Sequence, residues 1–485
     1  MTGMIRRLFA IEVMALVRQP LAVAVYAALF AAMLAAALVG AEQVKRTHAA
    51  LATIATEQTE AISAAKSAAA RYAKPSPLRI EYHRDPTDAF GYMNYFLVTH
   101  AVKPPLPLAG LATGQADLQP SHIRIDFNKI FPDTAFDLGN LHALDLGSFD
   151  LAFVLIYLVP LGLIAIGASR LTGEQDSGVL RMIAAQPVTL RRVALAKASA
   201  LAIVSLVAIV GGMLLALLIA GSLGSLVILG VALLVAMWVL FWVALTLLAA
   251  SFWRGTVGSV VMLVLGWAVL TVLAPTIAAL AVRTALPAPS RIAYIDRSRA
   301  AMDAFYRDET AVHAAWLGRF PHDESRSTEM LKSPEVKRFA RDAFYRDALK
   351  SDRETFVARD LAVAGATDWQ RLMSPAMMLD GTLQAAAGND VRHQLAFVAA
   401  ADAYDERLRR WFEPLALTNA ADPHRSCPDC PGRLNFTRYD DVPRFVPAPD
   451  HGAVMRAIGF GLLYLASVTA LTIIWAVRRL HVWPA

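Results

Sequence analysis

Cysteine is almost absent from this chain. Cys427 and Cys430 are the only two in 485 residues, which excludes a disulfide framework and leaves room for one local bridge at most. Charge is scarce as well. Asp, Glu, Lys and Arg make up 18% of the chain against 56% hydrophobic residues, and the mean hydropathy of +0.45 is too high for a soluble enzyme of this length. There is no Gly-rich phosphate loop ending in Lys-Ser/Thr, no HExxH and no Gly-x-Ser-x-Gly, so the chain carries no means of hydrolysing ATP by itself and no recognisable hydrolase centre. The net charge of +6 is modest, and no dense Lys/Arg tract with interleaved aromatics points to nucleic acid.

What the chain has instead is long apolar runs. A bilayer core needs roughly 20 apolar residues as helix, and six such runs occur, at 21–41, 151–169, 198–220, 226–250, 256–282 and 457–477. They predict an α-helical membrane protein with six transmembrane helices. None of the runs contains Asp, Glu, Lys, Arg or His, which argues against an ion-coupled secondary transporter. Arg6, Arg7 and Arg18 precede the first run; Arg170, Arg181, Arg191, Arg192 and Lys197 separate the second from the third; Arg254 separates the fourth from the fifth; Arg478 and Arg479 follow the sixth. Bases kept in short loops mark the cytoplasmic side, so both termini are expected there, with residues 1–20 as an interfacial helix and 478–485 as a short tail. The first run is longer than a signal-peptide core and reads as an uncleaved anchor.

Two long segments, 42–150 and 283–456, then fall on the opposite side. The first begins with an Ala-, Glu- and Lys-rich helical stretch ended by Lys74-Pro75-Ser76-Pro77, followed by short alternating runs, "LRIEYH" and "HIRIDF", around a Pro-rich "VKPPLPLAG"; it is expected to be a small α+β domain. The second is expected to be mainly helical from Ile295 to about Trp411, with breaks near Pro321 and Pro334, and it repeats "DAFYRD" at 303–308 and 342–347. "HRSCPDCPG" places Cys427 and Cys430 in Cys-x-x-Cys spacing; a local disulfide is the first expectation in an oxidising compartment, with a thiolate metal site or a redox pair as alternatives. Trp238 and Trp242, four apart in the fourth run, suit packing better than a substrate path. Pro160 and Pro275, inside the second and fifth runs, permit kinks.

Between the second and third runs, residues 170–197 are unlike their surroundings. Thr172 followed by Gln175 matches a capping box, with Glu174 and Asp176 in what would be a first turn. Val179, Leu180, Met182 and Ile183 give the stretch an apolar side, Pro187 ends it, and Thr189 is positioned to cap the next helix. A helix this short lies against something: the lipid surface, its own bundle or another protein.

Glu174, Ser177-Gly178, Leu180-Arg181, Gln186-Pro187 and Lys197 resemble the coupling-helix stretch of ABC-2 type transporter permeases. "IRRLFAIEVMALVRQP", with Glu12, Arg18 and Pro20, is similar to the interfacial helix that opens those proteins, and "GSFDLAFVLIYLVPL" looks like the start of the second span in a branch with large extracytoplasmic insertions. The resemblance implies a non-catalytic half-transporter in a bacterial inner membrane, paired with a second identical or related permease and with separate ATPase subunits. ATP and Mg would be bound in those ATPases and no cofactor by this chain. Glu174, Gln175, Leu180, Arg181 and Ile183 would make the ATPase contact. Typical members carry a short re-entrant hairpin between spans five and six, where this chain has about 170 residues. The competing expectation is a membrane scaffold whose external domains bind a periplasmic partner.

Overall fold

Among the described residues, six helices long and apolar enough to cross a membrane organise the chain. A computed structural model describes residues 2–72, 82–114, 116, 119–132, 149–176, 182, 185, 189–252, 255–420, 436–448 and 450–480. The first helix, α1 (Thr2–Arg18), ends where Gln19 leaves the helix ahead of Pro20. It buries Leu16 and leaves Ile11, Met14 and Val17 exposed, an apolar outer face suited to a lipid interface. The second, α2 (Pro20–Tyr72), runs unbroken for 53 residues, roughly 80 Å. No proline follows Pro20 within it, so the apolar first half and the Ala-rich polar second half form one rod.

The third rod begins with Leu151–Phe153, passes through a π-helical turn at Val154–Leu158, and continues as α3 (Val159–Asp176). Next come α4 (Leu190–Ile219) and α5 (Val227–Phe252). The following rod, α6, comprises Thr256–Ala268, a second π-helical turn at Val269–Leu273, and Ala274–Ala285. Then come α7 (Arg291–Arg307), α8 (Glu309–Leu317), α9 (Pro334–Ala348), α10 (Lys350–Gln370), α11 (Pro375–Ala387), which packs into the core of the apolar bundle, and α12 (Val391–Ala420), and the chain closes with α13 (His451–Arg479). The end of the bundle bearing the two long inserts is the crown; the end with α1 is the base.

Burial centres on α5, where Trp238 and Trp242 are fully enclosed. They are packing residues, and their rings meet edge to face at 5.6 Å. At the crown the two long inserts contribute to one shared hydrophobic core. Phe90, Tyr92 and Phe127 from the first pack with Trp316, Phe339, Phe412, Phe436 and Tyr439 from the second, and the Thr99 hydroxyl meets the Tyr404 phenol at 2.7 Å. Arg409, Asp342 and Asp405 are buried together beneath this core, and Arg409 also donates to the Lys129 carbonyl of the first insert at 2.7 Å.

Among the described residues, the expected α+β character shrinks to two three-residue strands, β1 (His100–Val102) and β2 (His122–Arg124), paired antiparallel with Ala101 opposite Ile123. "HIRIDF" supplies β2. It stops because Asp126 turns the chain, accepting from the Asn128 amide at 2.9 Å. Of "LRIEYH", residues 78–81 lie outside the described residues, while Tyr82–Arg84 form a 3-10 turn. The strand β1 falls just ahead of the Pro-rich stretch, where the sequence suggested none.

The two "DAFYRD" copies end α7 and lie in α9, and they touch: the Phe305 ring packs on Phe344 at 5.8 Å and on Tyr345 at 5.7 Å.

Candidate functional site

At the base, α3 ends in a polar cluster that ties three other elements to it. Lys197, on the first turns of α4, is only 7% exposed. Its ammonium meets Glu174 at 2.6 Å and Glu12 of α1 at 3.6 Å, and it donates to the Arg170 carbonyl at 3.4 Å. Arg170 in turn pairs with Glu12. A charge buried this far is stable only when paired and hydrogen-bonded, and here a single ammonium joins α1, α3 and α4.

The fourth element enters through Asp176. Its Oδ2 accepts the Thr256 amide at 3.0 Å, capping α6 from a different helix. The Thr172 and Thr256 hydroxyls lie 3.1 Å apart beside it. Gly255, at φ 111°, makes the approach possible, because a Cβ there would fall 2.8 Å from Asp176 Oδ1 in a conformation that L side chains rarely adopt.

This arrangement corrects the expected capping box. Thr172 does not begin a helix; it lies inside α3, and its hydroxyl donates back to the Ala168 carbonyl at 2.6 Å. Glu174 and Asp176 therefore sit at a helix C-terminus, where the dipole disfavours acids. Lys197 and the exposed N-terminus of α6 supply the positive partners. Of the residues singled out in the sequence, Glu174 is thus internally paired with about a third of its side chain exposed, and Gln175 occupies the same last turn. Leu180, Arg181 and Ile183 lie outside the described residues, as do Cys427 and Cys430. Thr189 is the N-cap of α4 by position, without a side-chain capping bond. The cluster's other members carried a signal of their own: Glu12 is the one acid in an apolar helix, and Lys197 is a base at the threshold of a span.

Toward the crown, Pro160 and Pro275 each follow a π-helical turn, and the geometry explains both. In the first, the Val159 amide donates to Val154 O; the next carbonyl in that pattern, Leu155 O, would need an N–H from residue 160, and proline has none. The Trp238 indole takes it at 2.9 Å. In the second, the Ala274 amide donates to Val269 O, Leu270 O would need an N–H from Pro275, and the Ser374 hydroxyl takes it at 2.6 Å.

Ser374 comes from the crown insert. Helix α10 passes along α6, where Gln370 donates to Ala278 O at 2.6 Å; the chain turns at Arg371–Met373, where Leu372 O accepts from Tyr464 of α13 at 3.0 Å. Then α11 returns toward the crown, where Asn389 anchors it to the Ala109 and Ala112 carbonyls. The insert therefore sends a helical hairpin back between α3, α6 and α13.

Between this hairpin and the two π-helical turns is a cavity of about 200 Å³, lined among others by Tyr157, Thr271, Pro275, Arg371, Asp380 and Gln384. Burial pushes the Asp380 carboxyl up to about 6; a hydrogen bond from Gln384 and the Arg371 charge pull the other way, and Asp150 adds to the rise. Asp380 escaped sequence reasoning because it stands alone in "PAMMLDGTLQAAA", a stretch with no charge pattern around it. No His/Cys/Asp/Glu group suited to a metal ion occurs among the described residues.

Six apolar helices, a buried ionic clasp at one end and an inserted hairpin at the other define a helical membrane protein. The model of the ABC-2 family transporter protein matches residues 6–313, and the chain belongs to that family. A domain of unknown function (DUF3526) matches residues 291–421, the helices from α7 through α12. Comparison with curated proteins and with solved structures returns no match to either.

Proposed function

We propose that the chain is the membrane-spanning, non-catalytic subunit of an ATP-driven exporter of the ABC type, lying in a bacterial inner membrane with both termini in the cytoplasm. It works with separate ATPase subunits, which bind ATP and Mg, and with a second permease, identical or related. The observation that carries this reading is the clasp at the base. The expected coupling segment, residues 170–197, takes in the last turns of α3, residues 177–188 and the first turns of α4. The last turn of α3 is joined there to α1 through Glu12, to α4 through Lys197 and to α6 through Thr256. Force delivered to that segment by an ATPase reaches four helices together, because a paired buried charge resists separation.

In this reading Glu174 and Gln175 position the segment, while Leu180, Arg181 and Ile183 meet the ATPase. The test is co-purification of the full chain with a co-expressed ABC ATPase subunit, with ATP turnover measured on the complex. Leu180→Asp is expected to abolish co-purification; an unchanged complex with unchanged turnover refutes the contact.

A scaffold that binds a periplasmic protein is the second reading. It is favoured by the cleft of about 790 Å³ between α9, α10 and α12, whose wall carries Arg346, Lys350, Arg353, Glu406 and Glu413. Crosslinking from this cleft in cells separates the two: a stable protein adduct with no ATPase association supports the scaffold.

A further inference from the structure

We propose that the cavity between the π-helical turns and the α10–α11 hairpin is a binding site for a compact organic cation, a primary ammonium or a guanidinium, held by the Asp380 carboxylate beside the Tyr157 ring. The charge inventory of the walls points to this class. Three carboxylates line the cavity, Asp368, Asp380 and Asp390, with two bases, Arg371 and Arg392. Both arginines pair with Asp368, and Asp390 pairs with His393. Asp380 is left with the Gln384 amide at 2.9 Å and no ion pair. An anion entering here meets an unpaired carboxylate and arginines already engaged, whereas a neutral molecule strands that carboxylate in a poorly solvated space. A cation completes it.

The remaining walls decide which cation. Tyr157 presents an aromatic ring, and Ile156, Pro275 and Met377 present apolar surface. A carboxylate next to a ring recognises an alkylammonium or guanidinium group, through charge and cation–π attraction together. A hard metal ion would need several convergent oxygens, which this cavity does not assemble. The volume of about 200 Å³ admits a small amine or the end of a longer chain. Position adds a consequence: the walls are the two π-helical turns and the hairpin, so a bound cation touches the α3 and α6 rods at the turns where their backbone hydrogen bonding departs from the α-helix, and α11 across from them.

The site is tested with the purified full chain in nanodiscs, without any ATPase, so that its outcome is separate from that of Leu180→Asp. The probe is n-hexylammonium, with hexanol and hexanoate as neutral and anionic controls, titrated by calorimetry at pH 7.5. Saturable binding of the ammonium alone is expected. Asp380→Asn should weaken it by roughly tenfold or more, the scale of one hydrogen bond to a charged group. In the unaltered chain, lowering the pH from 7.5 to 5 should weaken it as well, because the carboxylate takes up a proton. Absence of saturable binding, equal binding of hexanol or hexanoate, or full affinity retained at pH 5 overturns the proposal. So does full affinity in a folded Asp380→Asn protein.

Discussion

Lys197 is the residue whose loss should loosen the base most, and the geometry sets the scale. Its ammonium lies 2.6 Å from Glu174 and 3.6 Å from Glu12, which at an effective dielectric of about 20 corresponds to gross attractions of about 6 and about 5 kcal/mol. Desolvation of a side chain only 7% exposed offsets most of that gain. Replacing Lys197 with Met removes the ammonium, leaving Glu12 with Arg170 alone and depriving Glu174 of its ion pair, so we expect a loss of about 3 kcal/mol, the lower part of the range for breaking a buried pair from one side. Glu174→Gln should cost only about 1 kcal/mol, because Glu174 is about a third exposed and Lys197 keeps Glu12 and the Arg170 carbonyl. The assay is unfolding of the purified chain in mixed micelles titrated with dodecyl sulfate, for both single variants and the double variant. The double variant should cost about 1 kcal/mol less than the sum, since the second substitution removes a partner already lost. Additivity within about 0.5 kcal/mol, or a Lys197→Met protein as stable as the parent, would refute the claim that this ammonium clasps the helices.

Two further outcomes rest on the crown half of the bundle. Trp238→Phe strands the Leu155 carbonyl that Pro160 cannot satisfy, at a cost of about 2 kcal/mol; in a Pro160→Ala background, which restores an N–H, the same substitution should cost visibly less in the same titration, and an unchanged cost would dismiss the account of the π-helical turn. For Asp380, the folded carboxyl sits at about 6 against an ordinary 3.8, so between about pH 4 and pH 6 the folded chain holds a proton that the unfolded chain has released. Stability therefore falls as pH rises through that window. Asp380→Asn should remove this part of the slope and be more stable than the parent at pH 7 by on the order of 2 kcal/mol; identical pH profiles for the two proteins would contradict it.

The apolar helices were legible because bilayer crossing imposes a long, uncharged run that no local competition disguises. The base was half legible. The odd composition of 170–197 marked the place, yet the Thr172–Gln175 spacing suggested a helix start where α3 runs on to Asp176, because local capping patterns do not register a distant cation such as Lys197 or the orphan N–H groups of α6. The shared core of the crown was invisible for a similar reason. Tyr92 lies more than 300 residues from Phe412, Phe436 and Tyr439 and meets them only on packing. The prolines at 160 and 275 announced irregular helix, but only the fold reveals that Trp238 and Ser374 supply the donors that they lack.

Both π-helical turns belong to rods that also end in the clasp. On the α3 rod, Tyr157 lines the crown cavity and Glu174 holds Lys197, 17 residues and about 25 Å further on. On the α6 rod, Thr271 and Pro275 line the same cavity, and Thr256 receives Asp176 at the opposite end. The two rods are joined at the base by Asp176 and face a common cavity at the crown, so a tilt imposed at the clasp changes their separation where the cavity lies. A π-helical turn whose carbonyl is held by a side chain, as Leu155 O is by Trp238 and Leu270 O by Ser374, is the point along each rod at which such a tilt meets least backbone resistance. On the proposed transport reading, coupling between base and crown requires no chain of intermediate residues. It requires that α3 and α6 stay stiff between Glu174 and Tyr157 and between Thr256 and Thr271, and that the hairpin carrying Ser374 and Asp380 responds to their spacing.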